Sequence, residues 1–245
     1  MTSPVRFFWR LARGLIWFAV ASVRIMRQTP RGGPVDYDLT HRYASLLSGG
    51  WARIFDIRHE IRNGERILAT QPCIYLGNHR SNLDVLTMSG IFPPNAIVIG
   101  KREILRVPFL GRIFRLGGNV PINRRDPEEA RAAMEVAEGK LRDGISIFIM
   151  PEGTRNYGTL LPFKKGAFHL ARNTGVRLLP MVCAAPPRWM DGAKLWVPPY
   201  VNVLIEVLEP IDPAPFESVD ALIAATRERM AEALERLEDE LARRG

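Results

Sequence analysis

"CIYLGNHRSNLD", residues 73 to 84, begins as a short apolar run and ends as a polar octet with no hydrophobic periodicity of its own. A short apolar run bounded by a turn signal suits a buried strand. A strand feeding a helix is the unit from which α/β sandwiches are built. In one continuous helix the side chains of His79 and Asp84 would point about 140° apart. They meet only if the strand ends at His79, the chain turns through Arg80 and Ser81, and a helix begins near Asn82. Two interpretations then stand open. In one, Asp84 holds His79 in a fixed tautomer and raises the basicity of its far nitrogen, the arrangement that takes a proton from a weakly acidic hydroxyl. In the other, Asp84 caps the helix N-terminus and His79 is a satisfied surface histidine.

Working outward, β-like runs alternate with helical stretches. "AIVIGK", "NVPI", "ISIFIM", "RLLPMVCAA" and "VNVLIEVLEPI" join "CIYLGN" as expected strands. "DPEEARAAMEVAEGKLRDG" is a marked helix, with Asp126 as N-cap, Pro127 in the first turn and Gly144 closing it. "IRHEIRNGERIL" carries Asn63-Gly64 between two apolar segments and predicts a β-hairpin. A helix is expected over 39–55, with Leu46, Leu47, Trp51 and Phe55 on its apolar face and "SGG" (48 to 50) as a break or kink. The tail from Ser218 to Arg243 is amphipathic through Leu222, Met230, Leu234, Leu237 and Leu241, a face for packing on the domain. The fold class that follows is α/β, with a mixed, mainly parallel sheet flanked by helices.

The chain has 245 residues, 47% of them hydrophobic, which suits one sizeable α/β domain and excludes a disordered chain. Its two cysteines, Cys73 and Cys183, both lie in apolar runs, as buried reduced thiols would, and no paired-cysteine metal spacing is present. The formal charge of +8 points to a polyanionic partner: nucleic acid, anionic lipid or a phosphorylated substrate. Near the N-terminus, the longest uncharged run, Gly14 to Val23, is too short for a hydrocarbon core that needs about 20 apolar residues. A helix rich in Phe, Trp and Leu and flanked by Arg6, Arg10, Arg13 and Arg24 has the pattern of an interfacial anchor, with a core helix packed on the domain as the plainer alternative. The expected organisation is a membrane-interfacial helical segment over residues 1–57 and an α/β domain over 58–245.

Three further stretches carry chemistry. In "IFIMPEGTRNYG" (147 to 158) a strand stops at Pro-Glu-Gly, placing Glu152, Gly153, Thr154 and Arg155 at the sheet's carboxyl end, where open α/β sheets put their sites. A tight turn with a surface Glu-Arg ion pair is the plainer alternative. "GGNVPINRRD" delivers Arg124 and Arg125. "LPFKKGAFHLA" sets Lys164 and Lys165 before a helix start, a setting favourable to anions; His169 on that helix reads as a packed residue. No Gly-x-Ser-x-Gly elbow is present to suggest a hydrolase.

In this order, the stretches resemble the glycerolipid acyltransferase family, over about residues 70 to 185. "NHRSNLD" is similar to the family's His-x4-Asp block, "GNVPINR" to its second block, "FIMPEGTR" to its third and "RLLPMV", around Pro180, to its fourth. The second block departs from the usual Phe-Ile-Asp-Arg by carrying Asn123 before the arginine, and Met150 replaces the phenylalanine that usually opens the third. The resemblance implies His79 as general base oriented by Asp84, phosphate binding by Arg124 and Arg155 with Lys101, and a glycerol pocket shaped by Glu152 and Gly153. It implies transfer of a fatty acyl group to a lysophosphatidic acid. The expected partners are that lipid, an acyl-CoA or acyl-carrier protein co-substrate, and an anionic membrane surface rather than nucleic acid. No further cofactor and no metal are implied.

Overall fold

Side chains alternate across every strand, so a sheet whose strands are apolar throughout must be covered on both faces. The computed structural model describes residues 4–29, 33–80, 88–156, 159–186 and 200–244. Its strands are β1 (Ile57–Arg62), β2 (Cys73–Gly77), β3 (Ala96–Lys101), β4 (Val120–Ile122), β5 (Ser146–Ile149), β6 (Arg177–Ala184) and β7 (Val201–Val207). They form one sheet in the order β1-β7-β6-β2-β5-β3-β4. The β6–β7 pair is antiparallel and the others are parallel. The mixed, mainly parallel α/β sheet is the one expected, and all six strands read from the sequence outside the hairpin are present.

The helices are α1 (Pro4–Gln28), α2 (Leu39–Phe55), α3 (Arg66–Ala69), α4 (Leu110–Leu116), α5 (Pro127–Arg142), α6 (Gly166–Thr174) and α7 (Val219–Arg244). On one face of the sheet, Ile74, Leu76, Ile147 and Leu178 pack with Ala137 and Leu141 of α5, Phe168 and Leu170 of α6, and Met230, Leu234 and Leu237 of α7. On the other face, Tyr75, Phe148, Leu179 and Val203 meet Phe55 of α2, Ile67 and Phe92. Ile74 and Leu76 face one way and Cys73 and Tyr75 the other, as the period of two requires. Both cysteines are buried free thiols, and burial pushes that of Cys73 up to about 12. At α5, the Asp126 carboxylate accepts from the amides of Glu128 (3.0 Å) and Glu129 (3.2 Å), satisfying two donors of the first turn.

Two local expectations are overturned. After Asn63, which sits at φ 56°, the chain forms the short helix α3 instead of a returning strand. β1 is paired in parallel with the distant β7, and Arg66 donates to the Val207 carbonyl at 2.8 Å, so tertiary pairing overrides the local hairpin signal. Nor do Gly49 and Gly50 break α2, which runs unbroken to Phe55. A Cβ at Gly50 would fall 1.8 Å from Trp17 Nε1, so this glycine admits the indole of α1, which donates to the Leu46 carbonyl at 3.2 Å. Ala21 and Ile25 of α1 then pack with Tyr43 and Leu47 of α2 and Ile113 of α4. The opposite face of α1 is open: Phe8, Trp9, Leu15 and Ile16 are each about 60% exposed. Among the described residues no helix is long and apolar enough to cross a membrane.

Candidate active site

β4, β3, β5 and β2 are adjacent and mutually parallel, so their carboxyl ends emerge along one edge of the sheet. That edge receives Arg124 beyond β4, Lys101 at the end of β3, Glu152 beyond β5 and His79 beyond β2. With neighbouring strands about 4.8 Å apart, a shared edge brings residues scattered over the sequence within reach of one small molecule.

His79 leaves β2 under tight backbone control. Asn78, 1% exposed, donates its side-chain amide to the Cys183 carbonyl (2.9 Å) and accepts from the Cys183 amide (2.8 Å), tying the end of β2 to β6. The His79 amide donates to Glu152 Oε1 at 2.7 Å, and its carbonyl accepts from the Asn156 amide at 2.9 Å. The other Glu152 oxygen accepts from the Leu161 amide at 2.9 Å. Glu152 is 3% exposed, so the carboxylate after Pro151 is turned inward onto the protein's own backbone and fixes the relation of two loops. Asp84 lies outside the described residues, as do Tyr157 and Gly158 of the third stretch.

Gly153 follows at φ 71°, a conformation that disfavours any residue with a Cβ. Its carbonyl accepts from Arg124 Nη1, so strands β4 and β5 are joined at the edge by the arginine expected to bind phosphate. The Arg124 side chain is open to solvent, yet neighbouring protein shields its guanidinium enough to lower its pKa, with Glu103 opposing. An arginine stays charged regardless, and weak hydration leaves its donors ready for an anion. Thr154 and Arg155 are exposed beside it, as are Lys101 and Lys164. The Lys164 amide donates to the Pro151 carbonyl at 2.8 Å, folding the lysine pair back over the turn. Lys165 is committed elsewhere, in an ion pair with Asp220 of α7 at 2.7 Å.

From this edge a groove of about 620 Å³ runs between α5 and α6. Arg124, Gly153 and Lys164 stand at its mouth, and Ile122, Met134, Ile149 and Leu170 form its walls. Both helices run back from the carboxyl edge, so Glu138 and Asn173 lie at the far end, joined by a 3.0 Å hydrogen bond. His169 is exposed and lines this groove, in contrast to the packed position expected of it; the turn of α6 that buries Phe168 and Leu170 points it outward. An apolar trough with cationic groups at one end matches an amphiphile with an anionic head.

Of the expected site residues, His79, Arg124, Glu152, Gly153, Thr154, Arg155 and Lys101 lie at or beside the carboxyl edge, and Asp84 lies outside the described residues. The sequence had assigned nothing to Asn78, although that residue stood inside the decisive octet, nor to the walls of the groove, whose residues read as ordinary core. Arg80 was likewise given no role. It is 8% exposed, and its Nη1 is paired with Oε1 of Glu238 in α7.

Comparison with known proteins agrees with this fold. The Acyltransferase family model matches residues 58–184, over half of the chain. The chain is 34% identical over 202 residues to the 1-acyl-sn-glycerol-3-phosphate acyltransferase of Escherichia coli, covering 81% of each protein. It is 32% identical over 197 residues to that of Haemophilus influenzae, covering 76% of this chain and 78% of the relative. The human protein named 1-acyl-sn-glycerol-3-phosphate acyltransferase beta is 34% identical over 68% of this chain and 60% of its own. Among solved structures, a 1-acyl-sn-glycerophosphate acyltransferase from Thermotoga maritima superposes with a TM-score of 0.74 over 95% of this chain and 97% of its own, at 24% identity, a likeness of fold. With a family match that spans the strands delivering His79, Arg124 and Glu152, the chain belongs to the Acyltransferase family.

Proposed function

We propose that this protein is a 1-acyl-sn-glycerol-3-phosphate acyltransferase, moving a fatty acyl group from acyl-CoA or acyl-carrier protein to the sn-2 hydroxyl of lysophosphatidic acid to give phosphatidic acid for phospholipid synthesis. The observation that carries the proposal is the single sheet edge at which His79, Arg124 and the mouth of an apolar groove converge. The names of the relatives supply the acceptor.

His79, oriented by Asp84, takes the proton of the acceptor hydroxyl as its oxygen attacks the thioester carbonyl. The tetrahedral intermediate collapses with cleavage of the C–S bond, and the imidazolium returns its proton to the departing thiolate. No acyl-enzyme forms. Arg124 and Arg155, with Lys101, hold the acceptor phosphate; Gly153 and Thr154 border the glycerol, and Glu152 keeps the His79 backbone in place. The groove between α5 and α6 takes a fatty acyl chain. Residues 1–57 form the anchoring segment and 58–245 the catalytic domain. The open apolar face of α1, with Arg10, Arg13 and Arg24 on the same helix, rests the enzyme on the cytoplasmic surface of an anionic membrane.

The test is acyl transfer by purified protein to a panel of lyso-lipids from radiolabelled acyl-CoA and acyl-carrier protein. Lysophosphatidic acid is expected to give the highest kcat/KM, and His79→Ala to lower kcat by about 10²–10⁴-fold with Tm unchanged. Preference for a lyso-lipid lacking the phosphomonoester, or full activity in His79→Ala, would overturn the proposal.

A further inference from the structure

The C-terminal helix braces the turn that carries His79. Met230, Leu234 and Leu237 of α7 are buried in the core, so the helix is rigidly seated on the sheet. From that seat it reaches the carboxyl edge twice. Arg227 donates to the carbonyls of Leu160 (2.5 Å) and Leu161 (3.3 Å), in the loop whose Leu161 amide bonds Glu152. One residue beyond the buried Leu237, Glu238 pairs with Arg80, the residue that follows His79. The Arg80 side chain is 10% exposed and that of Glu238 42%, so the pair is shielded on the arginine side and wet on the other.

We infer that Glu238 is a positioning residue for the base: by holding Arg80 it fixes the direction in which the backbone delivers His79 to the acceptor hydroxyl. Among the described residues, restraints on this segment come from three different elements. Asn78 ties it to β6, Glu152 and Asn156 tie it to the loop after β5, and Glu238 ties it to α7. The first two grip residues 78 and 79. Among the described residues, the third acts beyond His79, at Arg80. Without it, the largely buried Arg80 guanidinium loses an ion-pair partner that anchors it to α7, and residue 80 shifts to rebalance that charge. Misplacement of a catalytic group by about 1 Å costs about 10²-fold in rate, so even a modest rearrangement is readable.

The inference rests on His79 being the base, and that assignment is tested separately by His79→Ala. Glu238→Gln, which keeps the side chain's shape and removes its charge, is expected to lower kcat at least tenfold while KM for both substrates stays within twofold. Glu238→Asp is expected to recover part of that loss. The double variant Arg80→Gln/Glu238→Gln is expected to be no slower than Arg80→Gln alone, because the two residues act as one unit. Thermal unfolding is followed in parallel. Unchanged kcat in Glu238→Gln, a change confined to KM, losses that multiply in the double variant, or a fall in activity accounted for by the unfolded fraction would each overturn the inference.

Discussion

Glu152→Gln separates a substrate contact from a backbone staple. Both Glu152 oxygens are engaged inside the protein, by the His79 amide at 2.7 Å and the Leu161 amide at 2.9 Å, at a residue 3% exposed. Glutamine keeps one carbonyl oxygen and turns the other into an NH₂ group facing an N–H donor. One charge-assisted hydrogen bond is lost, about 1.5–3 kcal/mol, and a buried donor is left without its acceptor, about 1–3 kcal/mol. The expected destabilisation is about 3–5 kcal/mol, a fall in Tm of about 6–20 °C for a domain of this size. Urea unfolding followed by circular dichroism measures it, with the slope m unchanged because the same surface is exposed on unfolding. Activity of the folded fraction should fall too, since the His79 amide loses its anchor, and this loss should appear in kcat more than in KM for lysophosphatidic acid. A loss of stability below about 1 kcal/mol together with a raised KM would refute the staple and return Glu152 to the glycerol pocket.

Arg124→Ala is expected to raise KM for lysophosphatidic acid strongly while leaving KM for the acyl thioester near its original value; equal effects on both substrates would remove the phosphate assignment. On α1, Trp9→Ser and Ile16→Ser change exposed positions and spare the packing against α2. Each should weaken co-sedimentation with anionic vesicles by about tenfold or more, from a burial worth about 1.5–3 kcal/mol per side chain; unchanged sedimentation would end the anchor. Arg244 and Arg62 hold the Glu60 carboxyl down at about 2, below its ordinary 4.5. Its contribution to stability is present above that ordinary value and lost as the pH falls from there through about 2. Glu60→Gln should therefore flatten this acid limb of the stability curve, by a small amount that added salt erases because the carboxylate is exposed.

What the sequence disclosed, and what it concealed, follows from the range of each interaction. The strands "CIYLGN" and "ISIFIM" announce themselves because burial on both sheet faces demands unbroken apolar runs. Helix α5 does so because its N-cap lies within three residues of the donors it satisfies. The Asn63-Gly64 signal misled for the opposite reason. The partner of β1 is β7, and no local pattern records that pairing. Gly50 looked like a helix breaker because a close helix contact and a backbone kink both call for glycine, and only Trp17 across the interface distinguishes them. At the site, His79 and Arg124 were legible from their place after strands. The inward turn of Glu152 depends on the backbone amide of Leu161, nine positions on, and Glu238 is one carboxylate among many on a helix of alternating charge.

The position of β1 has a consequence for synthesis. This edge strand is made early, yet its ladder partner β7 is made more than half the chain later, with Asn63 and Val207, which hydrogen-bond in the finished protein, 144 positions apart. Until β7 emerges from the ribosome, β1 presents its hydrogen-bonding edge unpaired, and such non-local pairing slows folding and favours aggregation. Helices α1 and α2, in contrast, adjoin in sequence and pack through Trp17, Gly50 and Tyr43 without any contribution from the sheet. The contact between the two helices is thus available while the sheet is still a nascent chain, although Ile113 and the sheet face that covers Phe55 join it later. The order of emergence lets α1 and α2 meet before the sheet edge that gathers His79, Arg124 and Glu152 is assembled.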